Sequence, residues 1–269
     1  MSTTIGSVGP DLSGRIALVT GGGRGIGRAI SEQLAAAGAA VAVNFRRDSD
    51  AAAETVAAIE ASGAVARAYG ASVDDADAMA AMVDAIATDL GPVDLLVCNA
   101  GIASRGQSVV DTDPDELVRV IGTHAIGAHH AARLVLPGMR QAPRGDIVMI
   151  SSVAAHSHGA NGAPYNMGKA ALEALAHTLA KEELANGIHV NIVAPGLVET
   201  DMGVRLARAI YGKREMDDLR ELDSRFPFGR VCQPSDIADV VVYLCSDAAS
   251  YLTDQRIVVD GGAGSARVG

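Results

Sequence analysis

Cysteine is scarce in this chain, an apolar run of membrane-spanning length is missing, and cations are outnumbered. The three cysteines, Cys98, Cys232 and Cys245, are odd in number, far apart and outside any C-x-x-C spacing. That excludes a disulfide framework and a cysteine metal cage, and it points to a reducing compartment. No stretch reaches the ~18 consecutive apolar residues of a membrane helix, and Met1 to Asp11 has no basic region followed by an apolar one. Neither a membrane span nor a signal peptide is therefore expected, and the expected location is cytoplasmic. With 22 Lys+Arg against 32 Asp+Glu, the net charge is −10 and the pI about 5.1. Such a surface repels phosphate backbones, so a general nucleic-acid role is not expected, and any bound polyanion needs a local cationic pocket.

What the chain does have is apolar material, 49% of 269 residues with 20% charged, enough for a full core in one domain. That domain is expected over residues 12–262, between an N-terminal tail, 1–11, and a C-terminal tail, 263–269. Arg15 to Val19 is a short apolar run ending in Thr20-Gly21-Gly22-Gly23-Arg24-Gly25-Ile26-Gly27, after which Ala29, Ile30, Leu34 and Ala37 recur at helical spacing. Strand, glycine loop and helix in succession suit a pyrophosphate, which needs close backbone approach and the amides of a helix N-terminus. A purely steric turn is the other reading of such a loop. Ala40 to Phe45 is a second buried strand and completes the βαβ unit that a nucleotide loop requires.

The alternation continues. Helices are expected at Ala51 to Ser62, Asp75 to Leu90, Asp113 to Leu136, Pro164 to Leu184 and Ser235 to Leu244. Strands are expected at Val65 to Tyr69, Val93 to Cys98, Asp146 to Ile150, Ile188 to Val193 and Arg256 to Val259. This pattern predicts a single-domain α/β fold of Rossmann type, a doubly wound parallel sheet of about seven strands with helices on both faces. In that architecture ligands bind beyond the carboxyl ends of the strands. The glycine loop, Asn99, Ser152 and Pro195-Gly196 each follow a predicted strand, so they fall on one rim.

The end of the second strand chooses between nicotinamide cofactors, because a carboxylate there bonds the ribose 2′-hydroxyl whereas arginine accommodates a 2′-phosphate. Phe45 takes that place, Arg46 and Arg47 follow, and Arg24 lies in the glycine loop. NADP(H) is therefore expected over NAD(H), through Arg24 and Arg46. Arg47 is as well read as part of a solvated turn. Farther along, Tyr165-Asn166-Met167-Gly168-Lys169 places a lysine four residues after a tyrosine, on one helix face. A close cation favours phenolate, which would draw a phenol down from its usual ~10 toward the range of efficient proton transfer. Ser152 would bond the same substrate oxygen from a neighbouring strand end.

Thr20-Gly21-x-x-x-Gly25-x-Gly27, Asn99-Ala100-Gly101, Ser152 with Tyr165-x-x-x-Lys169, Pro195-Gly196 and Asp260-Gly261-Gly262 occur in this order and at fitting spacing. From about Leu12 to Gly262 the chain resembles a short-chain dehydrogenase/reductase, most closely the 3-oxoacyl-(acyl-carrier-protein) reductases and related ketoreductases. The resemblance implies that Tyr165 exchanges a proton with a carbonyl or alcohol oxygen, that Lys169 lowers the tyrosine pKa and holds the nicotinamide ribose, and that Ser152 orients the carbonyl. It implies that Gly21, Gly23, Gly25, Ile26, Gly27, Asn99, Ala100 and Gly101 line the cofactor, and that Pro195, Gly196, Val198 and Thr200 place the nicotinamide end. It also implies a substrate lid over 202–228, although a surface helix pair would have the same pattern, and a homotetramer built on the two long helices, with a dimer left open. An acidic acyl carrier as partner would need a basic rim, for which Arg105, Arg133, Arg140 and Arg144 are the candidates.

Three positions depart from the family pattern. Cys98 stands where a second asparagine precedes Asn99, and is expected to be structural. Ser72, with Val73, stands where an aspartate commonly faces adenine, and a serine can still bond the adenine amino group. His124 stands three residues before Gly127, in place of an asparagine that supports a proton path to the lysine. Histidine could sustain that relay, titrating near ~6.5 and giving activity a pH dependence, or could be a core residue satisfied by a backbone carbonyl. His156, His158 and Asn161 are read as substrate-pocket wall or as exposed loop. No metal is expected, because His129-His130 face different sides of a helix and no ligand set converges. The activity implied is NADPH-dependent ketone reduction on 3-oxoacyl-thioester-like substrates. A sugar, polyol or secondary-alcohol dehydrogenase and a non-catalytic NADP sensor are the alternatives.

Overall fold

The computed structural model describes residues 10–211 and 215–263. The expected tails, 1–11 and 263–269, lie almost entirely outside these residues. Seven parallel strands form one sheet in the order β3-β2-β1-β4-β5-β6-β7. They are β1 Ile16–Val19, β2 Ala40–Phe45, β3 Ala66–Gly70, β4 Leu95–Cys98, β5 Gly145–Ile150, β6 Ile188–Pro195 and β7 Arg256–Val259. The order reverses direction between β1 and β4, and this opens a crevice at the carboxyl ends.

Both sheet faces are covered, which is why the inner strands read as continuous apolar runs. On one side α3 Ala76–Asp89, α5 Gly127–Met139 and α7 Ala163–Glu182 bury Met79, Ile86, Val135, Leu172 and Ala176 against Leu18, Leu96, Ile147 and Val190. On the other, α1 Gly25–Ala36, α2 Ser49–Ala61 and α9 Pro234–Cys245 bury Ile30, Leu34, Ile59, Ile237 and Val241 against Val19, Val41, Val97 and Val148. The remaining helices are α4 Pro114–Ile121, the short α6 Ala154–Ser157 and α8 Asp201–Tyr211. No described helix is long and apolar enough to cross a membrane.

Three boundaries differ from expectation for identifiable reasons. The predicted helix from Asp113 to Leu136 is not one regular α-helix: α4 and α5 are joined by a π-helical turn, Gly122–Ile126, which contains His124. Pro137 does not end α5, because Met139 beyond it is fully buried and packs where a Cβ at Gly145 would lie 2.5 Å from its Cγ. β6 continues through Pro195, whose lack of an N–H is tolerated at a strand's last position, and Gly196 N donates to Val259 O at 3.0 Å. Within the segment 202–228, read as a lid or a surface helix pair, Ala207, Met216, Leu219 and Leu222 pack with Val231 into a small core.

At the sheet's amino end Asp146, 1% exposed, accepts from Arg15 Nη2 at 3.0 Å and from Arg144 Nη2 at 2.9 Å, while Arg15 Nε donates to Asp94 at 2.9 Å. Removing the shared carboxylate leaves two cations short of a partner. Asp146→Ala is expected to lower unfolding free energy in urea by about 2–3 kcal/mol. Arg28→Ala, which breaks the exposed pair with Glu32, is expected to change it by about 0.5 kcal/mol or less.

Candidate active site

The glycine loop joins β1 to α1 at the crevice. A Cβ at Gly27 would lie 2.1 Å from Gly21 O, so the first turn of α1 packs directly on the loop backbone and tolerates only glycine. Gly25 has φ +53°, and a Cβ there would meet Thr200 Cγ2 at 3.2 Å, which places Thr200 across the loop from the helix start. Asn99 fixes the loop from β4: its Nδ2 donates to Thr20 O and Gly21 O, both at 3.0 Å. The Thr20 hydroxyl accepts from the Asn99 and Ala100 amides, each at 3.0 Å. Asn99 thus serves the rim by shaping its backbone, with its amide hydrogens already donated. Gly23 is pressed against α2, with a hypothetical Cβ 2.9 Å from Ala52 Cα.

At the adenosine end Arg24 and Arg46 are both exposed. Arg24 precedes α1 without capping it by a side-chain bond, and its Nη1 is 3.7 Å from Asp48 Oδ2. Ser72 bonds Asp74, and Val73 is buried beneath Gly127. Val198 is buried and bridges Cys232, while Thr200 Oγ1 accepts from Gly203 N at 3.0 Å and so opens α8.

Tyr165 and Lys169 lie one turn apart on α7, with Lys169 Nζ 5.8 Å from the phenol ring centroid. Ser152 follows β5, and its hydroxyl is the hydrogen-bonding neighbour that favours the phenolate. Ser152 Oγ also accepts from Ala154 N at 3.2 Å. Lys169 is 4% exposed and donates to Ile150 O at 2.8 Å. Burial pulls its pKa down to about 8, against the opposing pull of the Cys98 and Glu173 charges. The phenol behaves otherwise than expected. Burial raises the Tyr165 pKa, and the Ser152 bond offsets only part of that rise. The cation does not draw it toward neutrality because the Lys169 ammonium is directed at a carbonyl of β5.

His124 follows one of its two readings, that of a core residue. It is 1% exposed, its ring meets Tyr165 edge-on at 5.2 Å, and a Cβ at Gly168 would lie 3.2 Å from its own Cβ. Nε2 lies 2.9 Å from Ile102 O and 3.1 Å from Ile102 N, so it donates to the carbonyl or accepts from the amide according to the tautomer. Nδ1 makes no hydrogen bond. Burial first, then the Lys169 charge, lower the His124 pKa to about 3. A ring of this kind is neutral at working pH and cannot supply the pH dependence expected of it. Cys98 beneath it is buried, its thiol pushed up to about 12 by burial, as a structural cysteine should be.

The loop after Ser152 divides. His156, with 63% of its side chain exposed, turns Nε2 to Glu173 Oε2 at 2.8 Å, so that nitrogen is engaged away from any substrate. His158 and Asn161 are exposed at φ +48° and +62°. Two polar residues at this site, Glu173 and Arg256, were not anticipated, and the only sequence signal was Glu173 continuing the Tyr165, Lys169 spacing by four. Of the candidates for a basic rim, Arg140 pairs with Glu183 and Arg144 with Asp146 at the sheet's amino end, opposite Ser152, Arg105 pairs with Glu116 and Asp113, and Arg133 is exposed.

Comparisons with known proteins agree with this geometry. The profile of the family described as Enoyl-(Acyl carrier protein) reductase matches residues 21–264. The chain is 37% identical over 257 residues to versicolorin reductase of Emericella nidulans, covering 94% of this chain and 96% of that protein. It is 37% identical over 247 residues to the 3-oxoacyl-(acyl-carrier-protein) reductase of Staphylococcus aureus, with 91% and 96% covered. Among solved structures, a gluconate 5-dehydrogenase from Burkholderia cenocepacia in complex with NADP and tartrate superposes with a TM-score of 0.84 at 32% identity, covering 95% of this chain and 97% of that one. A dehydrogenase/reductase from Sinorhizobium meliloti gives 0.83 at 32% identity, with 94% and 96% covered.

The depressed His124 pKa has a definite sign in folding. Between about 3 and 6.5 the unfolded chain binds a proton at this ring that the folded chain does not, so stability should rise with pH across that window. Urea midpoints measured from pH 4 to 7 are expected to rise more steeply for the natural chain than for His124→Asn, and the activity profile of that variant should keep its limbs in place.

Proposed function

The chain belongs to the short-chain dehydrogenase/reductase family, and within it we propose that this protein is an NADPH-dependent reductase of ketones, with 3-oxoacyl thioesters as the substrate class. The observation that carries the reading is the arrangement of Ser152, Tyr165 and the buried Lys169 beside the glycine loop, on one rim. The rim fits a dinucleotide: the loop backbone approaches closely at Gly27, the first-turn amides of α1 have no side-chain cap, and Arg24 and Arg46 are exposed where a 2′-phosphate would lie.

In this reading Gly21, Gly23, Gly25, Ile26 and Gly27 hold the pyrophosphate and Ser72 and Val73 border the adenine. Ala100, Gly101, Pro195, Gly196, Val198 and Thr200 border the nicotinamide half. The bound cofactor supplies hydride from nicotinamide C4. Ser152 donates a hydrogen bond to the carbonyl oxygen and fixes its direction. Tyr165 then delivers its phenolic proton to that oxygen. A phenol whose pKa is raised by burial is protonated at neutral pH, the state that reduction consumes. Lys169 would hold the ribose hydroxyls, and the Ser152 hydroxyl, whose bond favours the ionised phenol, would stabilise the phenolate left behind. His124 takes no proton in this scheme; it fixes Ile102 in the turn after β4.

A polyol or sugar-acid dehydrogenase is the second reading, favoured by the neighbour solved with NADP and tartrate. A non-catalytic NADP sensor would need only the cofactor half of the rim. We further propose that residues 202–228 act as the substrate lid and that a homotetramer forms on α4, the π turn, α5 and α7, where exposed Val118, Ile126 and Met167 suit an apolar interface.

The test is turnover with NADPH and NADH on a short 3-oxoacyl thioester, simple ketones and 5-ketogluconate. NADPH-dependent turnover that falls by about a hundredfold or more in Tyr165→Phe is expected. Arg46→Asp should weaken NADPH relative to NADH by about tenfold or more. Ranking 5-ketogluconate above the thioester would favour the second reading, and an NADH preference would remove the roles of Arg24 and Arg46.

A further inference from the structure

Beneath the rim, Glu173 is buried and holds three partners together. Its Oε1 accepts from Ser151 Oγ at 2.6 Å and from Arg256 Nε at 2.9 Å, and its Oε2 takes His156 Nε2 at 2.8 Å. Arg256, on β7, spends its other arm on the turn itself, with Nη2 donating to Ser152 O at 3.2 Å. One carboxylate on α7 therefore binds the end of β5, the short helix α6 and, through Arg256, the backbone of Ser152. The same helix carries Lys169 and Tyr165, four and eight residues earlier on the same face. Bonds from Ser151, His156 and Arg256 hold the Glu173 carboxyl ionised despite burial, which by itself would raise its pKa.

We propose that Glu173, with Arg256, is a positioning residue for the reaction: the pair locks the Ser152 turn onto the helix of Tyr165 and Lys169, and its balanced charges set the field at the Lys169 ammonium. The proposal rests on the oxidoreductase reading for the roles of Ser152, Tyr165 and Lys169. The groups facing Lys169 are Tyr165 and Glu173 on its own helix, Cys98 from β4 and His124 from the π turn, with Arg256 behind Glu173. Of these only Glu173 and Arg256 carry full charge near neutral pH, and they carry opposite charge. The Glu173 carboxylate supports the ammonium against burial.

Opposite charges give opposite effects, which a purely structural role would not. Glu173→Gln removes the carboxylate that supports the ammonium and leaves Arg256 without its partner, so the Lys169 pKa should fall by about one unit. Arg256→Met leaves the carboxylate unopposed, so the Lys169 pKa should rise, and the double variant should return toward the natural value. The chain contains three lysines, Lys169, Lys181 and Lys213. Side-chain 13Cε and 15Nζ resonances followed through a pH titration of the full chain therefore resolve Lys169 directly, assigned by Lys169→Met. Both single variants should also lose about tenfold in kcat with a smaller change in the KM for NADPH. Glu173→Asp, which keeps the charge but not the reach, should keep the lysine titration and still lose rate. Shifts of the same sign in the two single variants, or no shift, would overturn the proposal. So would full kcat in Glu173→Gln on a ketone that the natural chain reduces. If the natural chain reduces no ketone, the oxidoreductase reading fails, and the lysine titration still decides the charge pairing.

Discussion

Taking an ammonium group out of water is costly, and the carboxyl rim of this sheet is arranged around the Lys169 charge, which is almost wholly buried between α7 and β5. The cost is offset by a direct bond to the Ile150 carbonyl and by the Glu173 carboxylate one helical turn on. Each has structural consequences. The bond to Ile150 registers α7 against the end of β5, where Ser152 begins its turn. The carboxylate needs partners of its own, and these are Ser151, His156 and Arg256. A single buried cation thus accounts for the polar residues that tie α6, α7, β5 and β7 together.

The same burial explains why His124 and Tyr165 differ from their ordinary chemistry. Imidazolium beside an ammonium in a dry site is doubly disfavoured, so His124 is a neutral ring held by the backbone of Ile102. The π turn that carries it puts the ring between Tyr165 and the turn after β4, instead of continuing the regular helix. A phenol in such surroundings keeps its proton, with Ser152 offsetting part of the burial. The electrostatics favour a site whose resting state is phenol and ammonium, ready to give a proton.

On the cofactor side the organising constraint is steric. The 2.1 Å separation that a Cβ at Gly27 would make with Gly21 O allows no side chain, and Asn99 and Thr20 hold the loop from the neighbouring strand. At the other end of the sheet the acidic and basic residues pair among themselves around Asp146. That pairing uses Arg144, which composition alone had made available for a partner surface.

The parallel sheet, the glycine loop and the Tyr165, Lys169 pair were all legible because they depend on local pattern. Buried strands are apolar runs, a pyrophosphate loop needs glycine, and a spacing of four on a helix brings two side chains to one face. Burial, long-range partners and charge environment are not local, and there the sequence ran out. Lys169 and Tyr165 could be paired by spacing, yet the direction of the phenol's shift depended on where α7 docks. His124 could be located, yet its neutrality came from packing against Gly168 and from Lys169 across the turn. Glu173 and Arg256 are 83 residues apart and meet only because β7 closes the sheet beside the Ser152 turn. By itself the sequence determined the fold and the pairing of Tyr165 with Lys169 on one helix face, since both follow from residue type and period. Only the tertiary structure decided which charges are dry and which are compensated, because solvent exclusion belongs to the assembled core and not to any segment of it.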